Sequence, residues 1–146
     1  MRKTPKIYKG IPNNYPLCMH AECPKASTCL HQIAFQRHGE LETYLKLLNP
    51  SQCTKQDKCP HYIDNKPVLF AKGFTNFQTH MLPKQYDKFM NLLIFHFGRN
   101  LYFRCRRGDT LLTPEEQEVV REALRRSGVE LHLEFDSYIE SIHWIP

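Results

Sequence analysis

Five of the six cysteines lie within the first 59 of 146 residues, in two short groups. Cys18 and Cys23 are followed by Cys29, and Cys53 by Cys59. Proline follows both Cys23 and Cys59, so the groups read as loose copies of one another. Thiolates gathered this way suit a structural zinc ion, which takes four Cys or His ligands in a tetrahedron. The repeat points to Cys18, Cys23, Cys53 and Cys59. Cys29, His20, His31 and His61 are rival ligands, since the region offers more donors than one ion needs. An iron–sulfur cluster also takes four cysteines, but its usual spacing is denser. The third reading is no cofactor, with reduced and partly buried thiols. Cys105 falls in an alternating apolar stretch and reads as a core residue.

Charge follows the cysteines. Residues 1–62 carry 9 Lys/Arg against 4 Asp/Glu, whereas residues 63–146 carry 11 of each, so the net +5 belongs to the first part. A chain 41% apolar and 24% charged belongs to the globular class. The first ten residues are basic and lack the apolar run of a secretory signal, and no stretch of eighteen apolar residues occurs. This predicts a cytoplasmic protein with reduced thiols and no membrane partner.

Three segments follow from composition and period. Residues 1–16 read as an irregular basic arm broken by Pro5, Gly10, Pro12 and Pro16. Residues 17–62 form the expected cysteine-rich, metal-binding helical module. Within it one helix starts at Ser27 or Thr28 and ends at Gly39, and a second runs from Glu40 to Leu48. Residues 63–146 form the core. Val68–Phe70 reads as a short strand. Tyr86, Phe89, Met90, Leu93, Ile94 and Phe97 give a helical core face after Pro83. Leu101, Phe103 and Cys105 alternate with polar residues and predict a strand. Thr113, Pro114 and Glu116 spell a capped helix start, with Gly128 past the end. Val129, Leu131, Leu133 and Phe135 predict another strand, and Tyr138–Ile145 a third. Arg104 and Arg106 would then face Glu130, Glu134 and Asp136 across neighbouring strands. The fold class is α+β: a two- to three-stranded sheet with packed helices, plus the cysteine-rich module.

Between Phe89 and Gly128, the stretches Phe97-Gly98-Arg99, Arg107-Gly108 and Leu112-Thr113-Pro114-Glu115-Glu116-Gln117 carry a resemblance. The chain resembles a family of small uncharacterised proteins of gut-dwelling bacteria, a resemblance that implies no activity, ligand or catalytic residue.

No phosphate-binding glycine loop, nucleophile elbow or zinc-protease signature occurs. The expectation is therefore a non-enzymatic binding or regulatory protein with a structural zinc, acting on a protein or small-molecule partner. The second reading is a nucleic-acid-binding module. Arg99, Arg104, Arg106 and Arg107, with Tyr102 among them, would make its anion contacts. The third is an enzyme whose site carries no familiar motif.

Overall fold

The computed structural model describes residues 8, 10–39, 41–52 and 59–144. Half of the basic arm and Cys53 lie outside the described residues. The chain divides into two compact units, residues 1–67 with 142–146 and residues 68–141.

In the second unit, the strand expected at Val68 is β1 (Val68–Lys72). It pairs antiparallel with β2 (Ser137–Ser141), the third strand of the sequence reading, with Phe70 opposite Ile139. Three helices fill the 64 residues between them: α2 (Pro83–Phe97), α3 (Arg99–Arg107) and α4 (Pro114–Arg126). The first unit holds one α-helix among the described residues, α1 (Leu30–His38). The fold is α+β with a small two-stranded sheet and packed helices.

Helix α2 forms where its period indicated. Pro83 takes the first turn, Gln85 Oε1 accepts from Leu82 N–H at 2.9 Å, and Phe89 and Leu93 are buried. Helix α4 starts on the capping box read from sequence. Glu116 N–H donates to Thr113 Oγ1 at 3.2 Å, and Thr113 N–H donates to Glu116 Oε2 at 2.9 Å. Val120, Ala123 and Leu124 point inward. The core gathers Phe74, Phe77, Phe89, Leu93, Tyr102 and Phe135, with Phe74 in contact with four other rings at 5.7–6.4 Å between centroids.

Two expected strands are absent. Residues 101–106 lie in α3. Tyr102 and Cys105, three residues apart, are its buried positions, so the inward set has helical spacing. Arg99–Arg107 holds no β-branched residue, so its strand support rests on Tyr102 and Phe103 alone. Gly98 bounds the segment on one side with φ 83° and ψ 157°, a conformation essentially reserved for glycine, and lets α3 follow α2 after one residue. Residues 129–136 do alternate, with Leu133 and Phe135 buried and Leu131 exposed, but they join no ladder. Their polar atoms go elsewhere: Arg121 Nη1 donates to Leu133 O at 3.1 Å, and Asp136 N–H donates to Gly73 O at 2.8 Å. The expected pairing of Arg104 and Arg106 with Glu130, Glu134 and Asp136 on adjacent strands therefore falls away.

In the first unit, α1 occupies the first predicted helix. Its N-cap is Cys29 rather than Ser27 or Thr28, and no side chain caps it. Thr28 Oγ1 instead donates to Lys25 O at 3.3 Å and pairs with Tyr62 Oη at 2.9 Å. Leu30 and Ala34 pack with Tyr15, Leu17 and Ile142 into a small core, against which Phe35, Ile63 and Trp144 lie. The second predicted helix does not form. Residues 41–49 are irregular, and Leu41 and Tyr44, two of its four supposed inward residues, are 78% and 91% exposed. Leu47 bridges to Leu17 there instead. No distinct helical cysteine module stands apart from this unit.

Candidate functional site

The cysteines do converge. Cys18, Cys23, Cys29 and Cys59 line one cavity of about 20 Å³ together with His20, His31 and His61. Local hydrogen bonds hold them there. Cys18 N–H donates to His31 O at 3.1 Å, Cys23 N–H to His20 O at 3.2 Å, and Cys29 N–H to Lys25 O at 3.0 Å. An antiparallel bridge from Cys29 to Asp64, with Leu30 N–H donating to Ile63 O at 2.9 Å, brings the segment after Cys59 alongside.

Convergence on a cavity is weaker than coordination. A zinc site needs its donors aimed at one point about 2.0–2.3 Å away. Among the described residues, no group of three or more His, Cys, Asp or Glu could hold a metal ion. This overturns the structural zinc expected on Cys18, Cys23, Cys53 and Cys59, the rival sets with Cys29, His20, His31 or His61, and the iron–sulfur alternative. It also overturns the binding function built on that zinc. Cys53 itself lies outside the described residues. His31 Nδ1 lies 2.6 Å from Pro16 O, and the His31 ring stacks on Tyr15 at 5.1 Å. Burial holds the His31 pKa below the ordinary imidazole value against that hydrogen bond, and His61 adds to the depression. The described cysteines are free thiols. Burial pushes Cys18 up, the His20 backbone opposes this, and Cys29, Cys59 and Cys23 add to the rise.

A second cluster lies on α3. Sequence reasoning found its residues and assigned the wrong element to them. With Tyr102 and Cys105 inward, the opposite face carries Asn100, Phe103, Arg104 and Arg107, and Arg99 stands on its flank, three residues before Tyr102. The three arginines and Asn100 are exposed. Arg99 lies over the Phe103 ring at 5.3 Å. Arg107 Nε pairs with Asp109 Oδ2 at 3.0 Å, and Arg104 makes no ion pair among the described residues. Arg106 separates from the group: half-buried, it donates to Gln78 Oε1 at 3.1 Å. Tyr102 is fully buried and offers no ring for a base to stack on. The stacking sheet imagined from sequence is thus replaced by a helix with a basic outer face.

No described helix is long and apolar enough to cross a membrane.

Fold and surface together define a small α+β protein with a thiol-lined cavity and one arginine-rich helix. The chain belongs to a family of unknown function (DUF6078), which it matches over residues 1–144. No curated protein and no solved structure matches it.

Proposed function

We propose that the protein binds nucleic acid, gripping the phosphate backbone with the outer face of α3. The observation that carries this reading is the placement of Arg99. Arg104 and Arg107 lie in the last two turns of α3, where cations favour the negative helix end. They would be expected there in any stable helix. Arg99 stands at the opposite, positive end, where a cation is unfavourable, and it remains exposed. The Phe103 ring offsets part of that cost, but it leaves the guanidinium exposed and without a carboxylate partner among the described residues, and such exposed guanidinium groups suit phosphate oxygens. Residues 68–141 hold ten Lys/Arg and ten Asp/Glu, so this face concentrates charge that the unit as a whole does not have in excess.

The test is fluorescence anisotropy with a labelled DNA duplex and a single-stranded RNA at about 50 and about 200 mM salt. Three phosphate contacts on the duplex give log K a slope near −2.7 against log salt. Replacing Arg99, Arg104 and Arg107 together by Glu should weaken binding at least about tenfold, roughly 1.4 kcal/mol. Arg106→Gln should change it little. Absence of binding at the lower salt, or equal binding by the triple variant, would refute the reading.

A further inference from the structure

Away from α3, the seam between α2 and α4 is open. A recess of about 550 Å³ lies between them, floored by Leu92, Val119 and Ala123. Phe95 stands at its edge, 93% exposed although it belongs to the most apolar helix of the chain. A wholly solvated phenylalanine beside an apolar recess is a knob next to a hole.

The charges along this seam have an order. Glu118 and Glu122 come first along α4, and Arg125 and Arg126 follow, all exposed. Glu122 pairs with Arg125 within the helix, a solvent-exposed bond of small worth. Glu118 and Arg126 make no ion pair among the described residues. Eight residues apart, they stand about 12 Å from one another along the axis. An identical helix laid antiparallel would set Glu118 against Arg126 at both ends. Laid parallel, it would set like against like. The seam is therefore complementary to itself about a two-fold axis, the arrangement in which each patch is its own partner.

We propose that this seam docks a second copy of the chain, with α4 antiparallel to α4 and each Phe95 seated in the other copy's recess. Two phenylalanine rings supply roughly 300–500 Å² of the ~1,000 Å² that a stable interface needs. Leu92, Val119 and the stems of Arg125 and Arg126 supply apolar area beside them.

Sedimentation velocity of the full chain from about 1 to about 300 µM covers moderate to weak association. The expected result is a monomer–dimer equilibrium within that range. Phe95→Ser, at an exposed site that leaves the core untouched, should raise Kd at least about tenfold. Glu118→Arg and Arg126→Glu should each weaken self-association, since each creates two like-charge contacts. Mixed together, the two single variants should form a heterodimer, because every facing pair is then opposite in sign. A monomer throughout the range would overturn the proposal. So would a dimer that Phe95→Ser leaves intact, or single charge variants that fail to rescue one another. The nucleic-acid reading stands apart, because Phe95→Ser leaves α3 unchanged.

Discussion

The carboxylate of Asp136 closes the turn at Thr75, 61 residues away in sequence. Its Oδ2 accepts from Thr75 N–H at 3.0 Å and from the Thr75 hydroxyl at 2.7 Å. Oδ1 accepts from Asn76 N–H at 3.4 Å, and the Asp136 N–H donates to Gly73 O at 2.8 Å. One residue thus ties the segment leading into β2 to the turn leaving β1. Asp136→Ala should destabilise the protein by about 1.5–3 kcal/mol, the range for hydrogen bonds to a charged group. Combined with Thr75→Val, the loss should be less than additive, as read by urea unfolding. Gly73→Ala should also cost about 1 kcal/mol or more. Gly73 has φ 81°, and a Cβ there would lie 2.7 Å from Asp136 Oδ2. Strict additivity of the Asp136 and Thr75 variants would show that the two side chains act separately.

That tie explains part of what sequence reading could and could not see. Helices α2 and α4 were legible because their signals are local: six apolar residues at helical spacing in one, a reciprocal cap in the other. The alternation of residues 129–136 was equally plain, but whether an alternating segment pairs depends on what lies beside it. Here Arg121 and Gly73 take its polar atoms, and the ladder to β1 falls to Ser137–Ser141 instead. Residues 101–106 had a usable signal that the alternation hid: no β-branched residue between two glycines, and an arginine-rich last turn. Cys59 shares a cavity with Cys18, Cys23 and Cys29 without the helix pair that would have brought the two groups together. Spacing alone does not orient donors toward a common point, and the metal inferred from it does not follow. The α2–α4 seam was invisible for another reason. The period of α2 already leaves Phe95 off its inward face, but the recess beside it depends on how α2 and α4 pack, which no local pattern names.

The hydroxyls of Tyr86 and Tyr102 meet at 3.1 Å at the edge of the core. Tyr102→Phe removes that bond while keeping the ring, and half-buried Tyr86 can turn to water, so about 1 kcal/mol should be lost. Tyr102→Ala should cost about 3–5 kcal/mol, because the ring is fully enclosed. Burial drives the Tyr102 phenol far above its ordinary value, with the Tyr86 hydrogen bond second. Burial, helped by Cys29, pushes Tyr15 up to about 12. Folded pKa values above the unfolded one favour the folded state fully below about pH 10, and that stability is lost as pH rises above it. For Tyr15 the loss runs to about pH 12. Phenolate absorbance should therefore show Tyr102 ionising only as the chain unfolds and Tyr15 only well above pH 10. Ionisation of either near pH 10 in folded protein would contradict this.

His31 sets an acid limit. Buried, with its pKa lowered, it stays neutral in the folded chain while the unfolded chain protonates it. Its contribution to stability is complete above the unfolded value of about 6.5 and is lost as pH falls from there to the lower folded value. Urea midpoints should drop between pH 7 and pH 5. His31→Asn should be less stable at pH 7, through loss of the stack on Tyr15, yet should show a flatter dependence across the same interval. An equal slope in the variant would place the acid sensitivity in another group.

The thiols should react in two classes. Cys105 is 1% exposed, and burial, with Glu116 second, pushes its thiol up to about 11. Since the thiolate is the nucleophile, little of it exists at pH 8, and the core shields what does. Cys18, Cys23, Cys29 and Cys59 are each partly exposed. Iodoacetamide at pH 8, followed by peptide mass spectrometry, should label these four in folded protein. Cys105 should be labelled only after denaturant is added. Cys18 should speed up as pH rises, because its raised pKa leaves more thiol to ionise. Removing Cys105 altogether tests its packing: Cys105→Ser puts a hydroxyl among Tyr102, Leu93 and their neighbours, and should cost about 1–3 kcal/mol. Native labelling of Cys105 at the rate of Cys23 would mean that the second unit opens locally, and hydrogen exchange at Tyr102 and Leu93 would then be fast as well.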